Sequence, residues 1–132
     1  MTIAWLTALY YMRMRDEHGG HRHQRLQQIL EEELQSLVHD ELTDPRLEDL
    51  HITAVELSVD YRSARVKFVT DAPEETPKKL EQIDRALEKA TRFLRARLGE
   101  SVEMKRLPEL HFAYDRDYAA QRRAAQVMDD KK

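Results

Sequence analysis

The stretch from Lys78 to Asp115, KKLEQIDRALEKATRFLRARLGESVEMKRLPELHFAYD, narrows the choice of folds more than any other part of the chain. Placed at about 100° per residue, Leu80, Ile83, Leu87, Ala90, Leu94 and Leu98 fall in one stripe about 80° wide, as on a helix with one buried face. Lys78, Arg85, Lys89 and Arg92 project from the opposite side. One helix thus offers a core anchor and a cationic ridge. Gly99 follows the last apolar position, with Arg95 and Arg97 just before it, and we expect the helix to stop there. From Leu107 the pattern switches to period two, with Leu110, Phe112 and Tyr114 on one face. A strand follows, with Pro108 at its start or on an edge where no ladder donor is needed.

Upstream, Leu26, Ile29, Leu30, Leu34, Leu37 and Val38 recur at helical spacing and predict a first helix from about Arg22 to Leu42. Its Glu31-Glu32-Glu33 run reads as a solvated face, because consecutive helical positions diverge by about 100° and do not converge on a substrate. Thr43-Asp44-Pro45-Arg46 ends that helix, since the residue before proline is pushed out of helical space. Residues 51–59 (HITAVELSV) then alternate with Val55, Leu57 and Val59 on one face, and residues 63–70 (SARVKFVT) with Ala64, Val66 and Phe68 on one face. Asp60-Tyr61-Arg62 between them makes a hairpin. Arg65, Lys67 and Val69 lie on the other face of the second strand, a basic strip that also deters edge pairing. The order helix, strand, strand, helix, strand is that of an α+β domain with a three-stranded sheet and helices on one face.

A chain of 132 residues is one domain by length, and its lack of cysteine excludes disulfides, thiolate zinc sites and cysteine nucleophiles and suits the cytoplasm. The net charge of −3 speaks against indiscriminate binding to polyanions. It hides a segregation, however. Between Glu31 and Asp60 ten acids face Arg46 alone, whereas between Tyr61 and Arg106 twelve bases face eight acids. The second half is suited to phosphate, the first is not.

Residues 1–21 form an N-terminal extension that we expect to be flexible. Its apolar run, TIAWLTALYY, falls short of the about 20 residues that span a bilayer, so no membrane role is expected. His18-Gly19-Gly20-His21-Arg22-His23 lacks acid or cysteine partners at ligand spacing and reads as a hinge, not a metal site. Residues 116–132 have only a thin apolar face and predict a marginal helix or a disordered tail. Ser36, Ser58, Ser63 and Ser101 lack any glycine-framed elbow, and no triad spacing or phosphate loop occurs. Neither an enzyme nor a cofactor is expected.

From about Arg22 to Asp115 the chain resembles the bacterial ribosome-binding factor A family. The resemblance rests on RLQQILEEELQSLV, Asp44-Pro45-Arg46-Leu47, ITAVELSVDYRSARVKFV, KATRFLRARLG and RLPELHFAYD in that order. It implies a type II KH-like domain over residues 22–115, with order α-β-β-α-β and a long second helix kinked near Ala90. There Ala90-Thr91-Arg92 stands at the family's Ala-x-Gly site, with Arg92 in the glycine position. No Gly-x-x-Gly occurs, so the usual KH backbone clamp on nucleotides is missing and contact falls to side chains. The apolar extension has no counterpart in the family pattern. The resemblance also implies a small-subunit assembly factor that binds 16S rRNA in the immature 30S subunit late in maturation, acts as a monomer and is released with help from a ribosome-associated GTPase. The expected contact set is Arg46, Arg65, Lys67, Lys89, Arg92, Arg95, Lys105 and Arg106, steered to phosphate with shape rather than base readout. The competing reading is an α+β protein-binding adaptor that does not touch RNA.

Overall fold

A computed structural model describes residues 21–130; the N-terminal apolar run, His18 and the Gly19-Gly20 hinge lie outside the described residues. Helix α1 (Arg22–Asp40) buries Ile29, Leu30, Leu34, Leu37 and Val38. A 3-10 turn (Pro45–Leu47) follows, capped by the Asp44 carboxylate, which accepts from the Arg46 backbone N–H. Strands β1 (His51–Leu57) and β2 (Ser63–Val69) form the antiparallel hairpin. Helix α2 (Pro77–Ser101) carries the chain back to strand β3 (Glu109–Tyr114), which runs parallel to β2, and helix α3 (Arg116–Asp130) closes the order. The sheet order is β1-β2-β3, so β2 is central. A parallel neighbour needs a crossover of a dozen residues or more, and α2 supplies it.

The core lies between the sheet and helices α1 and α2. Ala64, Val66 and Phe68 of β2 face it, as do Val55 and Leu57 of β1, Leu110 of β3, and Ile83, Ala86, Leu87, Leu94 and Leu98 of α2. Leaving water contributes about 1.5–3 kcal/mol for each large side chain of this set. Leu80, Ala90, Phe112 and Tyr114, expected on the buried faces, are only partly covered at its margin. Among the described residues no helix is long and apolar enough to cross a membrane, and no group of three His, Asp or Glu is placed to hold a metal.

Several local expectations are corrected. Gly99 does not stop α2: it does not take positive φ, and the helix continues to Ser101, ending where Val102 turns extended and its N–H reaches the Leu98 carbonyl. A Cβ on Gly99 would sit 3.4 Å from Leu107 Cδ1, an ordinary contact. Gly99→Ala is therefore expected to raise stability by about 0.5–1 kcal/mol through helix propensity, and a lowered urea midpoint would contradict that. Val59 is 91% exposed rather than in the core, because β1 ends at Leu57 and Ser58 already turns, its N–H bonded to the Ser63 carbonyl at 2.8 Å. At the other end of β1 the register slips between Ile52 and Ala54, leaving Thr53 as the extra residue, so Ile52 and Val55 both face inward although three apart. Glu33 is 4% exposed and not solvated, since it falls between Leu30 and Leu37 on the inward flank of α1.

Helix α2 is continuous through Ala90-Thr91-Arg92, and the Thr91 hydroxyl donates to the Leu87 carbonyl at 2.7 Å, a back-bond that bends helices slightly without breaking them. The segment after β3 is an ordered helix tied to the sheet. Ala119 is fully buried, Asp115 Oδ1 caps the first turn through the Tyr118 N–H, and Arg122 donates to the carbonyls of Thr70 and Ala72 at 2.8 and 3.0 Å.

Candidate nucleic-acid interface

The eight expected contact residues fall into three neighbourhoods. On the outer face of the sheet, Glu56, Arg65 and His111 stand in one cross-strand row and Ala54, Lys67 and Ala113 in the next. Arg65 is exposed, but Lys67 is drawn to Glu56 at 3.0 Å, and that hydrogen-bonded partner raises its pKa.

The second neighbourhood joins α2 to the 3-10 turn. Lys89 and Arg92 are exposed, with no hydrogen bond or ion pair to another described side chain. Phe93, beside Arg92 and one turn beyond Lys89, is 42% exposed. Sequence reasoning missed Phe93, although a phenylalanine just off the apolar stripe was a readable signal. Arg46 is held by its neighbour: its Nε and Nη2 donate to Asp44 Oδ1 and Oδ2 at 3.1 and 2.7 Å. These bonds, then the Arg46 backbone N–H, lower the Asp44 pKa from 3.8 to about 2. A carboxylate depressed in the folded state stabilises fully above its unfolded pKa and loses that contribution as pH falls through the folded one. Asp44→Ala is expected to flatten the acid limb of a melting-temperature profile between pH 3.8 and about 2, and an unchanged limb would refute the assignment. Farther along the ridge Arg85 is paired with Glu81 at 2.7 Å, and Arg97 ties α2 to Glu41 after α1, also at 2.7 Å. Those guanidiniums are partly spoken for.

The third neighbourhood is a basic trough. Arg62 at the hairpin loop and Arg106 before β3 stand on the wall between two cavities, of about 390 and about 650 Å³. Arg22, Arg25 and Lys105 line the smaller, and Arg95 and His111 the larger. Among the described residues, the acids that line the smaller cavity with these five cations are Asp60 and Glu103. Lys105 and Arg106 are exposed, while Arg95 is half-buried, with Nη2 donating to the Leu107 carbonyl at 3.3 Å. Sequence reasoning found Arg95, Lys105 and Arg106 but missed Arg22, Arg25 and Arg62. The i, i+3 spacing of Arg22 and Arg25 at the start of α1 put both on one side; nothing in the sequence joined that side to the hairpin loop. Because Arg65 pairs in register with His111, the trough continues onto the sheet's outer face.

A family model for ribosome-binding factor A matches residues 22–128. A ribosome-binding factor A of Dechloromonas aromatica is 41% identical over 97 residues, covering 74% of this chain and 76% of its own length. The crystal structure of ribosome-binding factor A from Thermus thermophilus superposes with a TM-score of 0.61 at 33% identity, over 70% of this chain and 93% of that one. A homology model of the Thermus thermophilus factor, as fitted into a cryo-EM map of its complex with 30S, superposes with a TM-score of 0.55 at 38% identity, over 67% and 89% of the two chains. The α+β arrangement of α1, α2 and the three-stranded sheet is thus the KH-like fold of these neighbours, and the chain belongs to the ribosome-binding factor A family.

Proposed function

We propose that this protein is a small-subunit assembly factor that binds 16S rRNA in the immature 30S particle and assists its late maturation. The observation that carries the reading is the charge separation in three dimensions. A chain with a net charge of −3 gathers Arg22, Arg25, Arg62, Lys105 and Arg106 around one cavity, with two acids among its described lining residues. Such a patch steers a polyanion by releasing its counterions, and the absence of a Gly-x-x-Gly clamp leaves side chains as the means of contact. The fitted 30S complex of the Thermus thermophilus factor supports the choice of particle. Action as a monomer in the cytoplasm, with a GTPase assisting release, belongs to the same proposal, as do the domain limits of 22–115 for the KH-like unit and 1–21 for the extension.

Phosphate contacts predict a steep salt dependence. Co-sedimentation with 30S particles is expected to exceed that with 50S or 70S, and binding should fall by about three orders of magnitude or more between 50 and 200 mM salt if six or more phosphates are engaged. Binding that ignores salt over that range would favour the protein-binding adaptor.

A further inference from the structure

The trough is built in two unlike compartments, and the difference points to the form of RNA it takes. The smaller cavity, of about 390 Å³, is lined by Leu26, Ile29, Met104 and Tyr61, with the buried Arg25, four more exposed cations and the carboxylates of Asp60 and Glu103 around them. Tyr61 adopts a φ of 63°, rare for a bulky residue, and its ring is fixed edge-on by His23, with centroids 5.4 Å apart, beneath the Arg22 guanidinium at 5.7 Å. The larger cavity has a different lining. It brings Arg62, Arg95 and Arg106 together with His111, against the single carboxylate of Glu109 among its lining residues. Arg62 and Arg106 belong to both cavities.

An apolar floor with an aromatic wall suits the flat face of a base, and converging guanidiniums suit a phosphate. In a duplex the bases are stacked inward, and recognition runs along the surface by shape; only an unstacked base can enter a cavity. We propose that the trough holds a single-stranded segment of RNA, with one unpaired base in the apolar-floored cavity and the adjoining phosphate in the arginine-lined one. This rests on the rRNA-binding reading and specifies which part of the RNA is gripped.

The test is fluorescence anisotropy on the full chain with a short fluorescein-labelled oligouridine and a blunt RNA duplex of the same length. The single strand is expected to bind about tenfold more tightly than the duplex. Met104→Trp, which fills the floor and leaves every cation in place, should abolish that preference. Arg62→Gln with Arg106→Gln should weaken both. Equal affinities in the parent protein, or a preference that survives in folded Met104→Trp, would overturn the proposal. Should Met104→Trp fail to fold, photocrosslinking of 4-thiouridine-substituted RNA to the parent chain decides: adducts at Tyr61, Met104 or Lys105 support the site, and adducts confined to the α2 ridge sink it. Displacement of the single strand by polyglutamate as readily as by unlabelled RNA would also overturn it, in favour of an acidic peptide. Salt-independent 30S binding defeats the broader rRNA reading, whereas salt-sensitive 30S binding without a single-strand preference defeats this inference alone.

Discussion

Phe68→Ala is expected to lower the unfolding free energy by about 3–5 kcal/mol, the range for deleting a fully buried aromatic ring. The side chain has no exposed surface, it lies on the central strand, and its ring meets Tyr114 of β3 edge-on at a centroid distance of 6.0 Å. Truncation removes core contacts on the helix side and an aromatic pair within the sheet. Natural domains hold only about 5–15 kcal/mol in total, so a loss of this size leaves a chain that melts well below its parent. Urea denaturation followed by circular dichroism measures it, and a midpoint within error of the parent would mean that the core is not centred on β2. Val69→Ala, nearby but smaller and on the opposite face, should cost less, because fewer methyl groups leave the interior.

The elements legible in the sequence were those whose burial follows one period. Helices α1 and α2, both hairpin strands and β3 could be read from apolar spacing because each turns a single face to one core. The misreadings share a different cause. Thr53 is a bulge residue that keeps Ile52 and Val55 on the same side, and no period describes an extra residue. Gly99 has the look of a helix stop, but Val102, extended and buried, sets the end. Helix α3 is thin in apolar residues and reads as marginal; it is held by Arg122 reaching carbonyls 52 and 50 positions earlier, a long-range bond that a local pattern cannot register. The trough follows the same logic, since Arg22, Arg62 and Arg106 become neighbours only after the hairpin loop folds beside the start of α1 and the loop before β3. Conversely, Arg46 and Lys67 are basic residues on the expected surface whose charges are already engaged, by Asp44 and Glu56.

Lys89→Glu combined with Arg92→Glu is expected to weaken 30S binding by about 10–100-fold at moderate salt, since it replaces two attractions to the phosphate backbone with two repulsions. Both side chains are exposed on α2 and make no ion pair with the described residues, so the double variant should melt within a few degrees of the parent. That combination, a large loss of binding on an intact fold, separates a contact surface from a structural one. Phe93 refines the reading. It stands beside Arg92, one turn beyond Lys89, and is 42% exposed, so Phe93→Ala, which leaves the charge unchanged, reports whether the ridge also offers a face for stacking. A drop in affinity with an unchanged salt slope marks stacking, whereas the double charge reversal should flatten the slope by about two contacts' worth. Lys78→Glu serves as the control, being exposed at the first turn of the same helix, away from Phe93. If it lowers binding as much as the double reversal, the effect is net charge and not location. If neither change alters co-sedimentation, the α2 ridge is solvent-facing in the complex, and the trough beside Arg62 and Arg106 carries the contact.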